Sequence, residues 1–154
     1  MNIILMRHGE AVPFSPNDGD RVLTPNGKGE ASNTGTQLKK AGWIPQTVFC
    51  STRIRAQQTS ELVIGALGLV IKPQVLPGIT PEDDWAEAAA VIEQHATDRS
   101  LFVFHQPILM QIVGHLTEAN ANADVHPGAA PATAYVLTLE TFCLLYTSPS
   151  PRDA

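Results

Sequence analysis

Apolar positions along this chain fall in short unbroken runs. Asn2-Ile3-Ile4-Leu5-Met6 stops abruptly at Arg7 and His8, Thr47-Val48-Phe49-Cys50 stops at Ser51, and Leu101-Phe102-Val103-Phe104 stops at His105. Runs of this kind predict strands buried on both faces, as in a parallel sheet with helices on each side. A further strand is expected around Leu69–Ile71 or Gln74–Leu76, and Thr133 to Glu140 alternates like a final strand. Helix signals lie between them. Thr24-Pro25 offers an N-cap with proline in the first turn of a helix that reaches about Ala41 and closes on Gly42, although Gly27, Gly29 and Gly35 weaken it. Ser51 and Thr52 are cap candidates for a helix from about Arg53 to Leu67, before Gly68. Pro77, Gly78 and Pro81 precede an Ala-rich helix from about Asp84 to His95, and Pro107 opens another to about Thr117. Asn120 to Pro131 has no apolar period and reads as a loop. Strands alternating with helices predict an α/β fold with a mostly parallel sheet flanked by helices.

Composition narrows the function classes. The 154 residues are 44% hydrophobic and 16% charged, which fits one globular domain and not two. A chain of this length buries roughly 70% of its unfolded surface, so neither disulfides nor a structural metal are needed. The net charge of -5 argues against broad nucleic-acid binding and against a polybasic membrane surface. The N-terminal apolar run is far shorter than the roughly 18–20 residues of a membrane span, and the expected location is cytoplasmic. Cys50 and Cys143 form no Cys-x-x-Cys and read as two reduced, buried thiols.

Open parallel sheets bind ligands beyond the carboxyl ends of their strands. Here those ends carry Arg7-His8-Gly9-Glu10, Ser51-Thr52-Arg53-Ile54-Arg55-Ala56-Gln57-Gln58-Thr59 and His105-Gln106-Pro107. Two imidazoles and several guanidiniums would therefore meet on one edge. A guanidinium is a planar fork that matches phosphate oxygens, and a neutral imidazole is a nucleophile that can carry a phosphoryl group. Gly9 would let the backbone approach an anion. Four of the six arginines, Arg7, Arg21, Arg53 and Arg55, precede residue 56, so an acidic chain can still present a positive pocket. The combination favours phosphoryl chemistry.

At these residues the chain resembles the histidine phosphatase superfamily, whose signature is Arg-His-Gly after the first strand, a second Arg in a Ser-x-x-x-Arg-Ala-x-Gln-Thr segment and a later His after a buried strand. Arg7-His8-Gly9, Ser51 to Thr59 with Arg55, and His105 occur in that order. Within the superfamily it looks most like the small bacterial phosphohistidine phosphatases of the SixA type. Arg7-His8-Gly9-Glu10-Ala11, Arg21-Val22-Leu23-Thr24-Pro25-Asn26-Gly27, Leu76-Pro77-Gly78-Ile79-Thr80-Pro81 and the compact length without a lid insertion carry that likeness, over about residues 1–140. The resemblance implies a single-domain, phosphoglycerate-mutase-like three-layer sandwich over 1–142. It implies that His8 attacks phosphorus while Arg7, Arg55 and His105 hold the phosphoryl oxygens, and Gly9 and Arg21 complete the substrate-binding set. It further implies hydrolysis of phosphohistidine on a phosphorelay or phosphocarrier protein, with no cofactor and no metal, since guanidiniums take over the charge stabilisation. The alternatives are a small-molecule phosphomonoesterase and a non-catalytic phosphate-binding signalling module.

Several positions depart from the pattern or stay open. Glu82, Asp83 and Asp84 are candidates for the leaving-group acid, but a solvated acidic turn capping the next helix explains them as well. The mutase pattern Arg-His-Gly-Glu-x-x-x-Asn fails at Phe14, which disfavours glycolytic mutase activity. Glu10 is read either as orienting His8 or Arg7 or as a loop carboxylate paired with a basic side chain. His95, His115 and His126 lack metal-ligand spacing and read as structural or surface residues, and Trp85 as a packing residue. Leu144 to Arg152 resembles an adapter-derived run at the end of an assembled reading frame. Residues 143–154 are therefore expected to be a disordered, non-native tail of a truncated gene.

Overall fold

The computed structural model describes residues 1–117, 130–139 and 152–153. In chain order these form β1 (Asn2–Arg7), α1 (Pro25–Lys40), β2 (Thr47–Cys50), α2 (Ile54–Leu67), β3 (Gln74–Val75), α3 (Trp85–His95), β4 (Ser100–Phe104), α4 (Ile108–Leu116), β5 (Ala134–Thr138) and β6 (Arg152–Asp153). The strands make one sheet in the order β3-β2-β4-β1-β5-β6. The pairs β3–β2, β2–β4 and β4–β1 are parallel, while β5 runs antiparallel to both β1 and β6.

The unbroken apolar runs are explained by helices on both faces of this sheet. Side chains alternate across a strand, so Ile3 and Leu5 join Phe102 and Phe104 on one face, under Ala88 and Ile92 of α3 and Ile108 and Ile112 of α4. Ile4, Met6, Val48, Leu101 and Val103 point to the other face, against Leu38 of α1 and Ala56, Val63 and Leu67 of α2. Neither face is solvated, which makes the fold a three-layer α/β sandwich. Each fully buried Leu, Ile or Phe contributes roughly 1.5–3 kcal/mol, so the two cores hold the central strands rigidly. Cys50 belongs to the second core, where burial pushes its thiol up to about 11; Cys143 lies outside the described residues.

Local signals set most helix ends. Thr24 Oγ1 accepts the Gly27 N–H at 2.9 Å at the start of α1, and Asp84 accepts from the Ala86 and Glu87 amides at the start of α3. Gly68 ends α2 in the left-handed conformation with φ +73°. One expected cap is different. The N-cap of α2 is Arg53, which makes no side-chain cap bond; Ser51, two residues earlier, meets His105 through its hydroxyl and accepts the Arg53 N–H. Between the two positions for the third strand, the structure has Gln74–Val75. Of the expected loop at 120–131, only 130 and 131 lie among the described residues, as do only Arg152 and Asp153 of the tail. Those two residues pair with Tyr135 and Val136 and cover part of the β5 edge. No described helix is long and apolar enough to cross a membrane.

Strand register positions the site. Cys50, Val103 and Met6 lie in one row across β2, β4 and β1, and Arg7 is level with Phe104. Ser51, His105 and His8 therefore emerge side by side at the carboxyl edge. Backbone bonds carry the register one step further, from Ser51 N–H to Val103 O at 3.1 Å and from His8 N–H to Phe104 O at 3.1 Å.

Candidate active site

A cleft of about 350 Å³ opens at this edge, lined by Arg7, His8, Asp18, Arg21, Arg55, Pro81, Glu82, His105 and Gln106. The structure thus brings His8, Arg7, Arg21, Arg55 and His105 together. Gly9 is not among the lining residues. Its place in the fold is different: a Cβ there would come within 2.6 Å of Gly27 O, and one on Gly27 within 2.0 Å of Glu10 O. The turn after β1 and the first turn of α1 are in backbone contact, which only two glycines allow. That contact also explains why α1 tolerates a helix-weakening Gly27. The Glu10 carboxylate accepts the Thr24 hydroxyl at 2.7 Å, supporting the same helix start.

The His8 ring has a defined tautomer. Its Nδ1 lies 2.6 Å from Gly9 O, and a carbonyl oxygen can only accept, so Nδ1 carries the proton and Nε2 keeps a lone pair. Gly9 is itself fixed through its N–H, which donates to Thr59 Oγ1 at 3.0 Å. Burial, with Arg55, Arg7 and Arg21 nearby, pushes His8 down to about 4, even though the bond to Gly9 works in the opposite direction. His105 is only 1% exposed, and its ring centre is 4.9 Å from that of His8. Burial, then His8, Arg55, Arg53 and Arg7, push it down to about 2. Both rings are neutral at pH 7.

These shifts predict a pH-dependent stability. Each ring has a folded-state value below the ordinary 6.5 of the unfolded chain, so acid loads protons onto the unfolded state first. Stability is complete above about pH 6.5 and falls with falling pH, through 4 for His8 and further for His105, by roughly 1 kcal/mol per pH unit and ring. Urea unfolding at pH 7 and pH 5 should show the loss, and His105→Gln should roughly halve its slope. Equal midpoints at the two pH values would contradict the burial of neutral rings.

Arg55 enters from the first turn of α2 and is 3% exposed. Its Nη1 donates to Asp18 O at 3.0 Å and its Nη2 to Asp18 Oδ2 at 3.3 Å. The other oxygen of Asp18 accepts from Arg21 Nη1 at 3.1 Å, while Arg21 Nε donates to Val12 O at 2.7 Å. Asp18 thereby clamps two guanidiniums of the cleft, and the bond from Arg21, with Arg55 beside it, holds its carboxyl below the ordinary value. Burial lowers the pKa of Arg55 and of Arg7, yet a guanidinium stays charged throughout the physiological range.

The three acids after Pro81 separate. Asp84 caps α3, Asp83 accepts from the Thr80 amide and hydroxyl at 2.7 Å, and Glu82 lines the cleft, ion-paired to Arg53. Nothing in the sequence pattern singles out Asp18, which sits in a short 3-10 turn, Asp18–Asp20, capped by Asn17. Ser51 and Gln106 could have been found by the rule that identifies His8 and His105, since both lie just past strand ends.

The remaining histidines pack. His95 bonds Val91 O at 2.9 Å and meets the Phe49 ring edge-on, and His115 lies against the half-buried Trp85. His126 is outside the described residues. Among the described residues, no three or more His, Cys, Asp or Glu side chains are grouped to hold a metal ion. A larger groove of about 450 Å³ beside α2 and β3 contains Glu61 and Lys72 but neither histidine nor arginine.

The model of the histidine phosphatase superfamily, branch 1, matches residues 3–80, which contain Arg7, His8 and Arg55. The chain belongs to the histidine phosphatase superfamily. This histidine phosphatase is 31% identical to the phosphohistidine phosphatase SixA of Escherichia coli K12 over 134 residues, covering 85% of this chain and 78% of that protein. The solved structure of the protein histidine phosphatase SixA complexed with tungstate is 29% identical, with TM-score 0.72, and the match covers 90% of this chain and 88% of that one. A mycobacterial glucosyl-3-phosphoglycerate phosphatase shares the fold at 14% identity, with TM-score 0.71 over 99% of this chain and 97% of its own. The chain is a phosphatase, and its fold also serves small-molecule substrates elsewhere.

Proposed function

We propose that this histidine phosphatase removes the phosphoryl group from phosphohistidine on a phosphorelay or phosphocarrier protein, through a phospho-His8 intermediate. The observation that carries the reading is His8 itself: neutral, with Nδ1–H anchored on Gly9 O and the Nε2 lone pair free, in a cleft lined by Arg7, Arg21, Arg55 and His105. A non-catalytic phosphate-binding module needs the arginines but not a nucleophile held in this way.

In the proposed reaction His8 Nε2 attacks phosphorus and forms a P–N bond. The bond to the substrate imidazole breaks, its electron pair leaves with that ring, and the ring takes up one proton. Water then attacks phospho-His8, releasing inorganic phosphate and restoring neutral His8. Arg7, Arg55 and His105 hold the equatorial oxygens and Arg21 extends the cradle, which meets the chief demand of phosphoryl transfer. The buried Arg55 Nε and Gln106 Nε2 donate to no described residue and can serve an oxyanion. Four guanidiniums near the cleft make a metal unnecessary. An imidazole leaves more readily than an alkoxide, so a phosphohistidine substrate needs no dedicated acid. The similarity to SixA supports this substrate class, and so does a cleft that is open among the described residues, which suits a protein ligand. The catalytic unit is residues 1–142, and a cytoplasmic location belongs to the same reading.

One observation favours a phosphomonoesterase instead. Glu82 lines the cleft, where it could protonate an alkoxide. Phosphate release in the presence of EDTA from a phosphohistidine-bearing carrier protein and from an aryl phosphate separates the two. Fast release from the carrier with weak aryl turnover is expected; strong aryl turnover with none from the carrier would establish the esterase, and a requirement for added metal would refute metal independence.

A further inference from the structure

Ser51 has no role in the chemistry above, yet it is completely buried one residue past the end of β2, with Oγ 2.6 Å from His105 Nε2. The same oxygen accepts the Arg53 backbone N–H at 3.2 Å. His105 Nδ1 is buried as well and bonds to no described residue. A hydroxyl has one proton and two lone pairs, and a neutral imidazole has one N–H and one lone pair. Two arrangements therefore satisfy the short contact.

In the first, His105 Nε2–H donates to Ser51. The oxygen then accepts twice, its own proton has no further acceptor among the described residues, and Nδ1 turns a lone pair toward whatever the ring meets. Against the oxygens of a phosphoryl group that lone pair is repulsive. In the second, the Ser51 hydroxyl donates to the Nε2 lone pair, the Arg53 N–H fills an oxygen lone pair, and the ring proton resides on Nδ1. Every polar atom of Ser51 is then used, and the one open group is a donor on a cleft-lining ring. Buried polar groups left unmade are costly, which decides between the two.

We infer that Ser51 is a positioning residue that holds His105 as the neutral Nδ1–H tautomer, so that the ring donates to a phosphoryl oxygen without first being protonated. The other way for a histidine to donate, as imidazolium, is opposed here by burial and by His8, Arg55, Arg53 and Arg7 around the ring. Ser51 makes and breaks no bond in the reaction. Its hydroxyl and the Arg53 amide orient the group that does touch the substrate. The inference rests on the phosphatase reading only in assigning His105 to the phosphoryl group.

The test is nitrogen-15 NMR of histidine-labelled protein at pH 7, with tungstate as the probe of oxyanion binding. Wild type is expected to show His105 protonated at Nδ1 with Nε2 as acceptor; a ring protonated at Nε2 overturns the inference outright. Ser51→Ala should convert His105 to a mixture of tautomers and weaken tungstate binding about tenfold, the worth of one hydrogen bond to a charged group. Ser51→Thr keeps the hydroxyl and should restore both the tautomer and most of the affinity. An unchanged tautomer in Ser51→Ala, whatever its activity, overturns the proposal as well. Should Ser51→Ala fail to fold, the wild-type tautomer and Ser51→Thr still decide. Tautomer and tungstate affinity are read without turnover, so they can fail while phosphohistidine release succeeds, and the reverse.

Discussion

Replacing His8 by alanine is expected to lower phosphate release from a phosphohistidine carrier by at least about a thousandfold while the chain still folds, because the nucleophile carries a covalent step that no neighbour can take over. His105, the other imidazole in the cleft, has Nε2 engaged by Ser51. The arginines are charged and acceptor-free, and so not nucleophilic. Loss of the Nδ1–Gly9 bond costs about 1 kcal/mol of stability, a small share of what two covered cores supply. Single-turnover mixing with an alkaline quench, which preserves phosphohistidine, should trap phosphate on wild type and none on His8→Ala. Turnover within tenfold of wild type would eliminate the phospho-His8 route, leaving direct attack by water on the substrate.

Arg55→Ala has the second-largest expected effect, a loss of about a hundred- to a thousandfold in kcat/KM, the usual consequence of removing one preorganised donor from a site of developing charge. Among the described residues the side chain is held from one side only, by the backbone and carboxylate of Asp18. Its removal therefore also leaves the Asp18 carboxylate with Arg21 as its one remaining described ion-pair partner beside the phosphate position. Inorganic phosphate or tungstate should bind correspondingly more weakly in isothermal titration. Arg55→Lys should recover little, since an ammonium cannot reproduce the fork that meets both Asp18 and an oxyanion. A wild-type rate for Arg55→Ala would transfer the phosphate contact to Arg53, which the structure pairs with Glu82.

Much of this site is legible in one dimension because the sheet is parallel. Each buried strand ends where its apolar run ends, and a parallel arrangement brings all such ends to one edge, so His8 and His105 could be placed together without knowing the strand order. Arg55 follows from the same logic, one turn into the helix after β2. Gly9 shows the limit of that reasoning. Its neighbour in sequence is the nucleophile, which suggests an anion contact; its neighbour in space is Gly27, and the second explains the missing side chain. Ser51 shows the opposite error. A serine just before a helix reads as a cap, but Ser51 lies two residues ahead of the N-cap Arg53, and its Oγ meets the His105 ring just past β4.

Residue order alone reveals the α/β class, β2, β1 and β4 to within one residue, the caps of α1 and α3, and the family motif around His8, Arg55 and His105. These depend on interactions within a few residues, or on whether a run is covered on one face or two. Folding in three dimensions sets the order β3-β2-β4-β1-β5-β6, the clamp of Asp18 on Arg21 and Arg55, the engagement of Glu82 by Arg53 and the bond between Ser51 and His105. Apart from Asp18 and Arg21, which are three residues apart, the partners lie tens of residues apart and leave no periodic trace. Which polar group satisfies which is settled only when the strands are laid side by side and water is expelled from between them.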